Sequence, residues 1–510
     1  MKRIINKYIC GVVIAASVLT FTSCNDFLDR SPQGSLTEND SPEGGMEEGK
    51  VFSIYAQMRS YNITAGIPAF AIHCFRSEDS EKGSQASDGA DQAVFFDDFN
   101  YTNNNGVVSA YWTHNYTIIY NCNTVITSIE EKTNPGELDL INLAEAKFFR
   151  AYCFFNLVRA FGDVPKIDFR VDDAAQANIP KSSALEIYQL IDEDLTIAEK
   201  YLPISWESKY IGRLTWGAAR SLHARTYMMR NDWANMASAA KEVINSKVYN
   251  LNTPYDKVFT DEGENCGESI FELQCTSTAG KPADLAIGSQ FCEVQGVRGS
   301  GEWNLGWGWH MGTKEMGLAF ESGDPRKDAT LLYFRKPGEE KTPENTNTPY
   351  GESPESSADG AYFNKKAYTN PSKRKQYTNG GFWVNIRLIR YTDVLLMAAE
   401  AENELGNTTD ALNYLEQVRA HARGTNSSIL PKVITTDQIE LRKAIQHERR
   451  VELGLEFDRF YDLVRWGIAK DVLHAAGKTN YQDKHRYLPI PQVEIDKSNG
   501  VLIQNPDYNS

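Results

Sequence analysis

Residues 144–165 read AEAKFFRAYCFFNLVRAFGDVP, and this stretch decides the kind of fold that the chain can adopt. Apolar side chains recur at steps of three and four residues, which is the periodicity of an α-helix. Other apolar residues fill most of the remaining circumference, so the helix is expected to lie buried in a larger body. Gly162 is suited to cap the helix, and Pro165 prevents its continuation. The stretch predicts a core helix that carries no chemistry, with Cys153 as a small apolar filler.

Other helical patterns come in pairs joined by short turns. Residues 214–230 and 233–246, for example, flank a turn at Asn231-Asp232. Helix-turn-helix units of this size, with small residues at their contacts, are typical of tetratricopeptide-like repeats. The sequence therefore predicts a mainly α-helical fold, a scaffold of about four tetratricopeptide-like helix pairs. The predicted helices lie near 49–60, 111–131, 144–161, 185–201, 214–230, 233–246, 388–405, 409–421 and 436–466.

Two parts of the chain lack helical periodicity. Residues 77–105 form a long polar stretch with embedded aromatics, and residues 250–385 are rich in Gly, Pro, Thr, Asn and aromatics. Long loops inside a compact protein are uncommon and often functional. We therefore predict a body at 51–510, in which a helical scaffold at about 51–250 and 386–510 supports a loop-rich ligand-binding portion that includes 77–105 and 250–385.

The N-terminus predicts an export signal and a lipid anchor. Lys2, Arg3 and Lys7 precede an apolar run at residues 9–21, which is too short to span a bilayer. The following LTFTSC places small residues before Cys24 and has the form of a lipoprotein cleavage site. We expect residues 1–23 to be a signal peptide, Cys24 to be acylated, and residues 24–50 to form a tether. An ordinary secretory signal with an incidental cysteine is the alternative.

The charge balance narrows the classes of partner. The 510-residue chain carries a formal net charge of −15, and loss of the three positive charges within residues 1–23 changes it to −18. Proteins that bind nucleic acid present a basic patch to the phosphates. The acidic balance therefore argues against nucleic acid as a partner and leaves uncharged or basic ligands open.

The cysteines and acidic residues give no metal motif. The six cysteines beyond Cys24 form no CxxC, and no histidine lies beside them at zinc-ligand spacing. Cys266 and Cys275 could pair in an oxidising compartment, which the sequence leaves open. The acidic loop at 77–105 could bind calcium, but it lacks EF-hand spacing. We therefore predict no metal and no cofactor, with calcium as the open alternative.

Several motifs resemble the SusD/RagB family of outer-membrane lipoproteins. They run in the family's order along the chain: CNDFLD at 24–29, EAKFFRAYCFFNLVRAFGDVP at 145–165, GWGWHMGTKEMGLAFESGDPR at 306–326, RYTDVLLMAAEAENELG at 390–406, ERRVELGLEFDRFYDLVRWG at 448–467 and RYLPIPQVEI at 486–495. The resemblance implies a cell-surface glycan-binding lipoprotein, held in the outer membrane by its lipid. It also implies delivery of oligosaccharide or polysaccharide to a SusC-like TonB-dependent β-barrel transporter, and no enzymatic activity.

The residues themselves suggest where a glycan would bind. An aromatic face stacks on the apolar face of a pyranose ring, and rigidly supported loops commonly present such faces. Glycines surround the tryptophans of GSGEWNLGWGWHMG at 299–312, so we expect the backbone to expose them. Core packing is the alternative for every aromatic candidate, and a solvated loop is the alternative for the polar ones. Trp112 differs, because it lies within a helix and is expected to pack in the core. The candidate glycan contacts are Trp303, Trp307, Trp309, Phe96, Tyr101, Asn104, Asp79 and Lys82, with Phe95 as a further aromatic candidate.

Two patterns of acidic residues are better explained by structural roles than by catalysis. The carboxylates Glu78, Asp79, Asp97 and Asp98 resemble the pair that glycoside hydrolysis requires, but acidic loops supply such pairs by chance. The run HERRVELGLEFDRF at 447–460 is not an HExxH metal motif, and its alternating charges predict an ion network on a helix surface. A surface-anchored hydrolase and a peptide-binding import lipoprotein remain the alternative functions.

Overall fold

The computed structural model of the chain describes residues 45–85, 87–89, 92–334, 348–353, 355 and 361–508. The chain divides into two compact units, Met1–Gly49 and Lys50–Ser510. The first described helix, Gly45–Met58, begins in the first unit, and every later described residue belongs to the second. The predicted signal peptide, the lipid attachment at Cys24 and most of the tether lie outside the described residues. Within the described ranges, no helix combines the length and apolar character needed to cross a bilayer.

Ten helices form the scaffold of the described chain. They are α1 (Gly45–Met58), α2 (Gly106–Glu130), α3 (Glu137–Phe161), α4 (Ala184–Tyr201), α5 (Trp216–Met229), α6 (Trp233–Asn245), α7 (Tyr391–Glu404), α8 (Thr408–Arg423), α9 (Gln438–Glu452) and α10 (Arg459–Arg465). Polar side chains cap several of them: Asn105 accepts a hydrogen bond from the backbone of Val107 at the start of α2, and Ser183 forms a capping box with Glu186 at the start of α4. The predicted mainly helical fold is confirmed.

Helix α3 is the centre of the scaffold, as its apolar sequence predicts. From Asn142 to Phe161 nearly every side chain is buried, and Cys153 is fully buried among them. Helices α2 and α4 pack on α3, α5 follows α4, and α6 pairs with α5. Helix α7 then packs against α6, α8 and α9, although about 145 residues separate α6 from α7 in sequence. The helix pairs thus form one continuous stack, and the loop-rich portion is an insertion within it.

Among the residues that the structure describes, the loop-rich portion and the strand that follows it form three small two-stranded antiparallel sheets. The strands are β1 (Ser80–Gly83), β2 (Ser269–Leu273), β3 (Trp309–Gly312), β4 (Leu331–Leu332), β5 (Phe363–Asn364) and β6 (Ile386–Arg390), paired as β1–β3, β2–β6 and β4–β5. Pairing of β2 with β6 brings the two ends of the insertion together. Short helices complete the described chain: Ile67–Phe70, Tyr255–Val258, Phe291–Gln295, Lys314–Ala319, Arg326–Thr330, Pro371–Gln376, Ala469–Ala475 and Gln492–Lys497, the π-helical turns Tyr61–Ala65 and Ala71–Phe75, and the 3₁₀ turns Val94–Phe96, Ala174–Ala177, Ser208–Tyr210, Asp261–Gly263, Gly301–Trp303, Lys365–Ala367 and Asp483–Arg486.

The prediction of one helix across residues 436–466 is wrong. Helix α9 ends at Glu452 and α10 begins at Arg459, because the segment between them takes a non-helical path. Leu455 and Phe457 have φ values of 64° and 61°, which a right-handed helix cannot contain. The buried Leu455 joins an apolar cluster, and the ring of Phe457 stacks on Phe70 with centroids 5.7 Å apart. Tertiary packing therefore interrupts a sequence that is helical on local grounds.

The charge run at 447–460 forms an ion network, but the expected surface position is wrong. Glu448, Arg449 and Glu452 are at most 1% exposed. Arg449 binds Asp393 of α7 at 2.8 Å and Asp462 of α10 at 3.2 Å. A buried charge is tolerated only when it is paired and hydrogen-bonded. This network therefore joins α9 to its neighbours inside the protein.

The end of α10 is fastened to α7 by two side chains. Arg465 donates to the carboxylate of Glu400 on α7, with Nη2 2.7 Å from Oε2. The indole nitrogen of Trp466 donates to the other oxygen of the same carboxylate at 2.8 Å. Trp112 also takes its expected packing role, because it is 3% exposed and meets Phe161 edge-on with centroids 5.0 Å apart.

Gly162 gives a stability prediction for the end of α3. Its φ of 76° and ψ of −123° lie in a region that is essentially restricted to glycine, and an added Cβ would stand 3.2 Å from the ring of Tyr487. We expect Gly162→Ala to cost about 1–3 kcal/mol of unfolding free energy, measured by urea unfolding. Gly136→Ser at the other end of α3 is the matched control, since its φ of −77° suits any residue and serine is a preferred N-cap. Equal stability of the two variants would contradict the prediction.

Candidate functional site

The short β1–β3 sheet brings the two predicted ligand-binding segments together. Its register pairs Ser80 with Gly312 and Gly83 with Trp309. The early loop at 77–105 therefore lies directly beside the tryptophan-rich segment, although the paired Gly83 and Trp309 are 226 positions apart in sequence. The two predicted ligand-binding segments therefore contribute to one region of the fold.

An open cleft lies where these segments meet. It has a volume of about 380 Å³ and is lined by Asp88, Arg298, Asn304, Gly306, Trp307 and Trp309. Volumes of about 300–1,000 Å³ are usual for small-ligand sites. The cleft combines one accessible aromatic ring with charged and amide groups, which is the combination that recognises a polar ring with an apolar face.

Trp307 supplies the accessible ring, and its position is fixed. The side chain is partly exposed and packs on Tyr61 with ring centroids 6.1 Å apart. Its backbone N–H donates to the Glu293 carbonyl at 2.9 Å, and the N–H of Gly308 donates to the Gly296 carbonyl at 2.8 Å. The φ of 71° at Gly308 is easily reached by glycine, which lets the chain turn between Trp307 and β3. The ring is therefore presented by a rigid backbone.

The polar side of the cleft is an interconnected set of side chains. The guanidinium of Arg298 pairs with the carboxylate of Asp88 and also donates to Ser84 Oγ at 3.0 Å. Ser84 Oγ in turn donates to Asp88 at 2.8 Å. Arg298 keeps 40% of its side-chain surface exposed, so it retains donors that face solvent. Asp88, Arg298 and Asn304 can therefore act as hydrogen-bonding partners for ligand hydroxyls.

Trp309 lines the cleft but is nearly buried, and the buried Lys82 packs against its ring. Trp309 is 7% exposed and Lys82 is 4% exposed. The Nζ of Lys82 stands 4.7 Å from the centre of the Trp309 ring and donates to three backbone carbonyls: those of Gly83 and Gln85 at 3.1 Å and that of Asp88 at 2.9 Å. Burial lowers the pKa of this amine. The pair shapes the loop that carries Asp88, and the expectation that glycines expose Trp309 is corrected.

Trp303 is also buried, which corrects the same expectation for this residue. Only 3% of it is exposed, its ring meets Phe334 edge-on at 4.6 Å, and its indole nitrogen donates to the Ser353 carbonyl at 2.7 Å. The neighbouring glycines instead allow the backbone to pack closely against other residues. An added Cβ at Gly299 would stand 2.9 Å from Trp303 Cβ.

The other predicted contacts lie outside the cleft. Phe96 is fully buried and Tyr101 is 4% exposed, and the two rings stack on each other at 4.9 Å. Asp79 is 2% exposed and pairs with Arg450 at 2.6 Å, so its expected role as a partner of ligand hydroxyls has no accessible oxygen to use. Asn104 is exposed but is not among the residues that line the cleft. Phe95 is partly buried against the core.

The sequence interpretation missed three cleft residues. Asn304 lies between two candidate tryptophans in a glycine-rich segment, which is a signal that could have identified it. Arg298 and Asp88 carry no such local signal, because their pairing depends on a fold that joins residues 210 positions apart. In the part of the chain that the structure describes, no group of three or more His, Cys, Asp or Glu side chains is placed to hold a metal ion. Cys266 and Cys275 are free thiols.

Asp97 gives a pH prediction for the loop under the cleft. Its carboxylate accepts the backbone N–H of Lys82 at 2.9 Å, and burial raises its pKa to about 6 despite the opposing effect of Lys478. The folded state therefore holds the proton more tightly than the unfolded chain, whose aspartate pKa is about 3.9. The stability that this group contributes is present at low pH and is lost as pH rises through about 6.

We expect this loss to amount to about 1 kcal/mol between pH 5 and pH 7. Asp97→Asn, which cannot ionise, should show a correspondingly flatter dependence in urea unfolding at the two pH values. Asp98→Asn is the matched control for removal of one carboxylate from this loop. The same pH dependence in Asp97→Asn and the wild-type protein would contradict the assignment.

Comparisons with known proteins agree on one family. A model described as the SusD family matches residues 267–508, and a second SusD-like model, described as "starch-binding associating with outer membrane", matches residues 26–228. Among curated relatives, the SusD-like protein P2 of Formosa agariphila is 28% identical over 96% of this chain and 98% of its own length. A SusD-like protein of Bacteroides ovatus is 25% identical over 89% of this chain and 82% of its own length.

Solved structures show the same fold. A laminarin-binding SusD-like protein matches with a TM-score of 0.75 and 25% identity, covering 91% of this chain and 99% of its own. Surface glycan-binding protein A from Bacteroides fluxus matches with a TM-score of 0.74 and 25% identity, covering 92% and 100%. Two family models match successive parts of the chain, and relatives and structures match it along most of its length. The chain belongs to the SusD family.

Proposed function

We propose that the protein is a cell-surface glycan-binding protein and that the cleft at Trp307 holds the glycan. The observation that carries the proposal is one accessible tryptophan on a rigid backbone, faced by Asp88, Arg298 and Asn304. A pyranose ring stacks on the indole, and its hydroxyls bond the charged and amide groups. The names of the similar solved structures, one laminarin-binding and one surface glycan-binding, support this class of ligand.

The protein binds its glycan ligand without cleaving it. Of the four early-loop carboxylates that resemble a hydrolytic pair, Glu78 pairs with Arg459 and Asp79 pairs with Arg450, while Asp97 accepts the backbone N–H of Lys82. Glycoside hydrolysis requires two carboxyl groups that both reach the scissile bond, and in a retaining enzyme these two groups stand about 5 Å apart. Glu78 and Asp79 are only 3% and 2% exposed and are engaged by arginines, which favours a structural role for both.

The protein is held in the outer membrane by acylation of Cys24 and delivers its glycan to a SusC-like TonB-dependent barrel. The lipoprotein-type sequence before Cys24 and the motifs shared with the family support this part of the proposal. A family description that names association with the outer membrane supports the location. Substitution Cys24→Ala should release the protein from outer-membrane fractions, while continued membrane association would contradict acylation as the anchor.

Affinity electrophoresis tests the proposed ligand class. The mature chain without residues 1–24 is run on native gels that contain laminarin, starch, xylan or fructan, beside a gel without polysaccharide. Retardation on at least one polysaccharide gel, without released reducing sugar, is the expected result. Cleavage of the polysaccharide would favour the hydrolase alternative. Absence of retardation on every gel, together with absence of binding to the corresponding hexasaccharides, would overturn the proposal and favour a peptide ligand.

A further inference from the structure

A second cavity of about 370 Å³ lies on the scaffold and shares no lining residue with the Trp307 cleft. One wall is helix α2, where Trp112, Tyr116 and Tyr120 are spaced four residues apart and therefore share one helix face. The facing wall comes from the segment at 165–177 and from the short helix Gln492–Lys497. The scaffold thus carries an aromatic recess that the proposed function does not use.

The aromatic wall runs from the protein interior to solvent. Trp112 is buried and contacts Tyr116 with ring centroids 5.0 Å apart. The hydroxyl of Tyr116 donates to the Pro165 carbonyl at 2.9 Å, which fixes its ring. Tyr120 is 46% exposed, so its ring offers a large apolar face at the mouth of the cavity. Such a face suits the apolar side of a pyranose.

Polar groups line the same cavity beside the rings. Thr113 and Thr117 are exposed on α2. The Thr117 hydroxyl donates to the Thr113 carbonyl at 2.9 Å and can still accept a hydrogen bond, while the Thr113 hydroxyl can donate or accept. On the facing wall, Glu494 and Lys497 pair with each other at 2.9 Å, so these two charges largely cancel. A cavity with aromatic faces, hydroxyls and a compensated ion pair fits a neutral polar ligand better than a strongly charged one.

The facing wall is held in place without a ligand. Asn103 and Gln492 exchange two hydrogen bonds, one between side chains at 2.9 Å and one from the Gln492 backbone N–H to the Asn103 carbonyl at 2.9 Å. The side chain of Asn178 donates to the Ser498 carbonyl at 3.2 Å. Binding therefore requires little ordering of the protein, which lowers the cost of occupancy.

We propose that this cavity is a second saccharide-binding site that takes a neutral oligosaccharide, with Tyr120 as its stacking residue. The proposal rests on the proposed function, since it assigns a second contact to the same class of ligand. Two sites on one chain allow a long polysaccharide to bind at both, which raises its avidity above that of a short oligosaccharide.

Equilibrium dialysis against laminarihexaose, maltohexaose and xylohexaose tests the proposal on the mature chain. Tyr120→Ala removes the stacking ring, and Tyr120→Phe keeps it as the matched control. Ala177→Trp fills the cavity from the opposite wall and leaves α2 unchanged. Trp307→Ala removes the ring of the first cleft, and thermal unfolding checks that every variant is folded.

For a hexasaccharide that binds, the wild-type protein and Tyr120→Phe should bind two molecules. Tyr120→Ala, Ala177→Trp and Trp307→Ala should each bind one, and the Tyr120→Ala/Trp307→Ala variant none. A wild-type stoichiometry of one that only Trp307→Ala abolishes would overturn the second site and leave the proposed function standing. Loss of saccharide binding in Tyr120→Ala and Ala177→Trp alone, with binding by Trp307→Ala unchanged, would instead overturn the assignment of the first cleft. Binding of none of the three hexasaccharides by the wild-type protein would overturn the second site.

Discussion

Replacing Arg390 by alanine is expected to lower the free energy of unfolding by about 3–5 kcal/mol, because it removes a buried counter-charge that three neighbouring carboxylates share. The guanidinium lies at the end of β6 and binds three carboxylates: Glu268, Glu452 at 3.0 Å and Glu456 at 2.8 Å. Glu268 and Glu452 are fully buried, and Arg390 itself is 2% exposed. One residue thus holds the closing strand of the insertion to helix α9 and to the segment that follows it.

The pH dependence of Glu452 has the same origin. Burial raises its pKa, but the attraction of Arg390 and Arg326 outweighs burial and holds the pKa at about 2. The ionised form is therefore favoured in the folded state relative to the unfolded chain, whose glutamate pKa is about 4.3. Its contribution to stability is present above about pH 4.3 and is lost as the pH falls toward 2.

Urea unfolding of Arg390→Ala at pH 7 measures the effect. Lys443→Ala is the control, because Lys443 and Glu440 form a pair at 2.8 Å whose side chains are 65% and 59% exposed. Exposed pairs contribute about 0–1 kcal/mol, so this variant should remain close to the wild-type protein. Similar, small losses in both variants would contradict the interpretation that the buried network connects the insertion to the scaffold.

Replacing Trp307 by alanine is expected to weaken glycan binding by about 30-fold, or about 2 kcal/mol, with little loss of stability. The ring is the accessible aromatic surface of the cleft, and stacking on it provides the apolar part of the contact with a pyranose. Because the ring is partly exposed, its removal leaves no closed cavity in the core. Affinity should therefore fall much more than the free energy of unfolding.

Isothermal titration with an oligosaccharide from the polysaccharide that retards the protein measures this change. Trp233→Ala is the matched control, since Trp233 is also a partly exposed tryptophan but begins helix α6 and lies outside the cleft. The control should keep wild-type affinity. Equal affinity in Trp307→Ala and the control would contradict the role of Trp307.

The scaffold could be predicted from the sequence because its signals are local. The all-round apolar pattern of residues 144–161 identified the core helix, and the paired patterns at 214–230 and 233–246 correspond to α5 and α6 within two residues at each end. The patterns failed where distant residues decide the conformation. The break between α9 and α10 depends on Phe457 packing against Phe70, a contact that no local periodicity encodes.

The same limit applies to the charges. The alternation at 447–460 is compatible with an exposed helix face, and the sequence does not reveal that Arg390 from β6 and Arg326 from the insertion meet Glu452 in the interior. Burial of these side chains follows from the path of the inserted segment. Composition and spacing carry no information about that path.

The candidate site was predictable as a region and not residue by residue. The glycine-rich tryptophan segment and the early loop do meet, but burial separates Trp307 from Trp303 and Trp309, which have similar sequence surroundings. Glycine permits exposure of a neighbouring side chain, and it equally permits the close backbone approach that buries one. Arg298 and Asp88 become recognisable only once β1 and β3 pair.

A crystal structure of the mature protein with the oligosaccharide that it binds would show whether the Trp307 cleft is the glycan site. We expect a pyranose ring stacked on Trp307, with hydroxyls in hydrogen-bonding contact with Arg298, Asp88 or Asn304. Saccharide bound elsewhere on the protein, with the Trp307 cleft empty at a saturating concentration, would contradict the assignment of the cleft.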